Sequence, residues 1–74
     1  MFELTINGEP QALADPVTVA ELLEKLGYDR RRVAVEVNEE VVPQTQHPEH
    51  RLAPGDAVEI VTLVGGGASN ETVP

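Results

Sequence analysis

The chain opens on an alternation: Phe2, Leu4 and Ile6 are apolar, with Glu3 and Thr5 between them. That period of two is the mark of a strand with one buried face. Asn7-Gly8 follows, a pair that tolerates positive φ at both positions, and predicts a tight hairpin turn. The return strand runs from about Glu9 to Leu13, and Pro10 near its start points to a sheet edge, where a missing N–H is tolerated. Asp15-Pro16 closes the hairpin. The period then lengthens. Val19, Leu22, Leu23 and Leu26 recur at i, i+3, i+4 and i+7, one stripe of an amphipathic helix. Thr18 and Glu21 have the spacing of a capping box at its start. Lys25 suits the negative end of the helix dipole, and Gly27 sits where a left-handed residue ends a helix. The spacing therefore predicts a helix from Val19 to about Leu26.

The period of two returns after a polar loop, Tyr28 to Arg32. Val33, Val35 and Val37 form a third strand, Asn38-Glu39-Glu40 a turn, and Val41-Val42 a short strand stopped by Pro43. Gln44 to Arg51 is irregular, and Pro54-Gly55-Asp56 is a tight turn. Ala57 to Val64 reads as a long last strand, with Val58, Ile60 and Thr62 on one face and Glu59, Val61 and Leu63 on the other. The order β-β-α-β-β-β predicts an α+β fold: a mixed sheet of four to five strands with one helix packed across one face. One helix covers one face, so the other stays partly wet. The first and last strands are the most apolar and are expected to pair in parallel at the sheet centre.

Composition narrows the function. Seventy-four residues make one small domain. With no cysteine, disulfides, thiolate metal sites and cysteine nucleophiles are excluded. Five basic residues against 13 acidic ones give a net charge of −8. That balance argues against a nucleic-acid partner and favours steering towards a basic protein. No apolar run approaches the roughly 20 residues of a membrane helix, and Met1-Phe2-Glu3 lacks the basic start of a secretory signal. The expectation is a cytoplasmic protein with no membrane partner. His47-Pro48-Glu49-His50 lacks the further ligands that structural zinc takes, and is expected to be a loop with solvated histidines. Arg30-Arg31-Arg32 is expected to be a solvated loop that pairs with nearby acids. No residues have the arrangement of a catalytic acid/base pair, so binding, carrying or regulation is expected rather than catalysis.

The end of the chain bears on chemistry. Gly65-Gly66-Gly67 makes an arm without side chains, able to thread a narrow channel and bring a backbone carboxylate to another protein's catalytic groups. Read alone, such a run is more simply a linker before a disordered tail, Ala68 to Pro74. The order of motifs goes further. Leu4-Thr5-Ile6-Asn7-Gly8-Glu9, Thr18 to Leu23 with Leu26, Val33 to Asn38, Val41-Val42-Pro43, Leu52, Gly55-Asp56 before Val58 to Val61, and Leu63-Val64-Gly65-Gly66-Gly67 follow one another. Over residues 1–67 the chain resembles the sulfur carriers of thiazole synthesis, the ThiS family of ubiquitin-like β-grasp proteins.

The resemblance implies a protein co-substrate rather than an enzyme. An E1-like adenylating enzyme would use MgATP to adenylate the carboxylate of Gly67, with no cofactor bound by the carrier itself. Sulfur from a cysteine desulfurase would convert it to a thiocarboxylate, and thiazole synthase would consume that sulfur in thiamin biosynthesis. Gly66 would be the required small neighbour and Gly65 the hinge of the arm. Val61, Leu63 and Val64 would form the surface that docks on these partners. The free carrier is expected to be a monomer. The sequence departs from the family after Gly67, where seven residues follow. Either Ala68–Pro74 is removed before Gly67 reacts, or the tail is absent from the native protein, or the carrier function is lost; the first two are favoured, with residues 1–67 the expected carrier domain. The alternatives are the small subunit of molybdopterin synthase, a carrier of cysteine synthesis, or a non-covalent ubiquitin-like binding module if the tail is retained.

Overall fold

In the computed structural model residues 2–63 are described. The elements are β1 (Phe2–Ile6), β2 (Glu9–Leu13), α1 (Val19–Leu26), β3 (Val33–Val37), β4 (Glu40–Val42) and β5 (Ala57–Thr62). Short 3-10 turns lie at Arg30–Arg32 and Gln44–Gln46, inside the two stretches read from sequence as loops. The five strands form one sheet in the order β2-β1-β5-β3-β4. β1 and β5 run parallel, as their apolar character predicts, and the other neighbouring pairs are antiparallel. β2, with Pro10, is an edge strand.

Local signals account for the chain reversals. Asn7 and Gly8 both adopt positive φ, 52° and 84°, and Phe2 comes to lie opposite Leu13. At the helix start the Glu21 N–H donates to Thr18 Oγ1 and the Thr18 N–H donates to Glu21 Oε1, two otherwise orphaned donors satisfied at once. At its end Gly27 takes φ 83°, its N–H donating to Glu24 O while the Tyr28 N–H donates to Leu23 O. This is the paired closure of a Schellman motif.

The core is aliphatic and lies between α1 and one face of the sheet. Val19, Leu22 and Leu23 of the helix are buried with Leu4, Val35, Val58 and Ile60 of the strands. Val17, Val42 and Leu52 close the rim, and Phe2, Ile6 and Leu13 pack partly against it. Three expectations need correction. Leu26 belongs to the helical stripe by spacing but is exposed, because it lies in the last turn before the Gly27 reversal. Thr62 stands opposite buried Val33, yet it is exposed rather than part of the core.

His47 is the third. It is fully buried rather than solvated: its Nε2–H donates to Val42 O at 3.1 Å, and the His47 carbonyl accepts the Ala20 N–H. The ring thus ties the loop after β4 to the sheet, while the backbone beside it satisfies one of the free donors of the first helical turn. Its Nδ1 is buried without a hydrogen-bond partner.

Candidate docking site at the end of the fifth strand

β5 is the strand from which the glycine arm continues, and two asparagines fix it. Both stand in tight turns with positive φ, Asn7 between β1 and β2 and Asn38 between β3 and β4. Asn7 Oδ1 accepts the Ile60 N–H at 2.8 Å and its Nδ2 donates to Ile60 O at 3.3 Å. Its side chain therefore prolongs the β1–β5 ladder after the backbone of β1 has turned away. Asn38 Oδ1 accepts the Ala57 N–H at 2.9 Å and its Nδ2 donates to Asp56 Oδ1 at 3.0 Å. Asp56 Oδ2 in turn accepts the Ala53 N–H at 2.8 Å. The sequence pattern by itself places these asparagines in turns and no more. The signal for the second role was their position immediately after apolar strands, where a short amide reaches a neighbouring backbone.

With β5 held on both sides, its alternation divides two surfaces. Val58 and Ile60 point into the core, while Glu59 and Val61 face away from the helix. The register sets Val61 beside Ala34 and aligns Glu59, Glu36 and Val41 in one row across β5, β3 and β4. Paired residues share a face, so this face is a short apolar strip bordered by carboxylates. Val61, Leu63 and Val41 are 55%, 52% and 68% exposed. Folding alone does not bury them, and a partner surface can. Two of the anticipated docking residues, Val61 and Leu63, thus stand on the open side. The strand ends at Thr62 rather than Val64. Val64, the expected arm Gly65 and Gly66, Gly67 as the expected sulfur-carrying residue, and the segment 68–74 lie outside the described residues.

The arginine turn meets this site. The Leu63 N–H donates to Arg32 O at 2.7 Å, so Arg30–Arg32 adjoins the exit of β5. Asp29 caps the turn, accepting the Arg31 N–H at 3.0 Å. Its carboxylate is also 3.4 Å from Arg31 Nε and 3.7 Å from Arg32 Nε. The hydrogen bond from the Arg31 backbone, then the Arg31 side chain, holds the Asp29 carboxyl below its ordinary value. The expected pairing of the arginines with a nearby acid is therefore present for Arg31 and Arg32. Among the described residues no three histidine, aspartate or glutamate side chains gather where a metal ion could sit, and no helix is long and apolar enough to cross a membrane.

Comparison with known proteins places this geometry. Residues 4–67 match the model of the ThiS family. A thiazole synthase of Paramagnetospirillum magneticum is 44% identical over 67 residues, 90% of this chain but 21% of that protein. The chain thus spans about a fifth of that relative. The sulfur carrier protein ThiS of Thermus thermophilus is 42% identical over 62 residues, covering 84% of this chain and 95% of the carrier. The crystal structure of the thiamine biosynthesis protein ThiS from Geobacter metallireducens superposes with a TM-score of 0.77 at 36% identity, over 89% of this chain and all of that one. The anticipated ubiquitin-like β-grasp fold is the one observed, and the chain belongs to the ThiS family.

Proposed function

We propose that this protein is a sulfur carrier of thiamin biosynthesis, acting as a protein co-substrate through a thiocarboxylate on Gly67. The observation that carries the reading is that the family match runs through to Gly67. The chemistry follows from what a carboxylate lacks. Its oxygen is a poor leaving group, and attack on the α-phosphorus of ATP, with release of pyrophosphate, converts it to an acyl-adenylate. A persulfide originating from a cysteine desulfurase then displaces AMP to give an acyl disulfide, and a second thiol cleaves its S–S bond, leaving a thiocarboxylate on the carrier and a disulfide on the donor. The resulting thiocarboxylate sulfur is a soft nucleophile, suited to thiazole synthase. A segment similar to this chain within a thiazole synthase supports that enzyme as the acceptor.

The protein itself supplies position. The Asn7 and Asn38 clamps hold β5, and Val61 and Leu63 offer the apolar contact on which an adenylating enzyme and a thiazole synthase would dock in turn. Ala68 follows Gly67 in the chain, so the Gly67–Ala68 peptide bond must be hydrolysed before the carboxylate exists. The test is reconstitution with the E1-like enzyme of the same organism and MgATP. A chain ending at Gly67 is expected to support ATP–pyrophosphate exchange, and the 74-residue chain is not. Exchange with neither chain would overturn the reading.

A further inference from the structure

The acidic protein has one basic locus, and it stands at the exit of β5. Three of the five cationic side chains occupy the successive positions Arg30, Arg31 and Arg32. Asp29 is the ion-pair partner of Arg31 and Arg32 among the described residues, one acid against three arginines, so the turn keeps a positive balance. The Arg31 and Arg32 side chains are 79% and 75% exposed. The turn is fixed from both sides: Gln44 Nε2 donates to Arg30 O at 2.6 Å, and Arg32 O accepts the Leu63 N–H.

Covalent reach then limits where a partner can lie. Four residues separate Leu63 from Gly67, and a residue spans at most about 3.6 Å, so Gly67 stays within roughly 14 Å of Leu63 whatever its path. An enzyme that encloses the Gly67 carboxylate must bring its surface up to the exit of β5, where the arginines are. Guanidinium groups covered by a neutral or basic surface would lose water without compensation.

From this juxtaposition we propose that the enzyme that adenylates Gly67 presents an acidic patch beside its active-site entrance, and that Arg30, Arg31 and Arg32 dock on it. The inference rests on the carrier reading above. It assigns the interface a polarity: basic side chains of the partner meet Glu36 and Glu59, apolar ones meet Val61 and Leu63, and carboxylates meet the arginine turn. Opposite charges at the two ends of one strip permit a single orientation, the one that delivers the arm to the active site.

The proposal opposes the expectation from net charge. If overall acidity governs encounter, making the chain more acidic speeds association with a basic enzyme. If the arginine turn governs it, the same change slows association. The experiment measures association of the purified adenylating enzyme with the full chain and, in parallel, the chain ending at Gly67, from low to high salt. R30E/R31E/R32E is the reversal variant. R30Q/R31Q/R32Q leaves Asp29 without added repulsion and covers the case of a disturbed turn. The expected result is a fall in association rate of about tenfold for the reversal and about threefold for the neutral variant, both vanishing at high salt. Unchanged or faster association of both variants would overturn the proposal. Normal binding by a wild-type chain that is never adenylated would instead overturn the carrier reading and leave the docking result standing. A wild-type chain that does not bind overturns both.

Discussion

The two faces of the sheet are made by the same strands and do opposite work. On the helix side Leu4, Val35, Val58 and Ile60 are at most 6% exposed. On the other side Val61 and Val41 stay more than half exposed, beside Glu59 and Glu36. β5 contributes to both, alternating buried and exposed residues. The difference shows how a small domain confines its core to one face of the sheet. One helix provides enough apolar surface to close one face. Apolar side chains on the open face contribute little to folding and are left available to a partner.

Substitutions on the two faces should therefore separate cleanly. The largest effect is expected from Leu22→Ala, which removes a fully buried side chain facing the sheet. Chemical denaturation should show a loss of about 2–5 kcal/mol; a loss below about 1 kcal/mol would mean that the helix face is not the main core. His47→Ala comes next. It leaves Val42 O without its donor and opens a void behind the loop, and about 1–3 kcal/mol should be lost. An unchanged midpoint would show that the buried ring is dispensable. The smallest effect on stability belongs to the open face. Val61→Thr with Leu63→Gln should change unfolding by no more than about 0.5 kcal/mol. The same pair should raise the KM for adenylation about tenfold with little change in kcat, the pattern expected when binding alone is lost. A large loss of stability there would collapse the distinction between the faces.

How much of this was legible in the sequence depended on how local each cause is. Both ends of α1 were readable because Thr18, Glu21 and Gly27 act within one turn of the helix they bound. The β1–β2 hairpin was readable because Asn7 and Gly8 tolerate the backbone conformation the turn requires. The burial of His47 was not, since its acceptor is a β4 carbonyl that only tertiary folding places beside the ring. The end of β5 was also hidden. Residues 63 and 64 continue the apolar pattern, but β3 begins at Val33, opposite Thr62, and offers no strand further on. The candidate docking pair Val61 and Leu63 was visible in the alternation alone. Their neighbour, the arginine turn, follows from the β3–β5 register and the Leu63–Arg32 hydrogen bond, which no local pattern encodes.

Whether Gly67 carries sulfur can be read from the intact mass of the untagged protein recovered from its native host. A sulfur carrier should yield a species ending at Gly67, part of it heavier by one oxygen-to-sulfur exchange, with that fraction rising when thiamin is withheld. A population that retains Ala68–Pro74 in full, with no shortened form even under thiamin starvation, would contradict it.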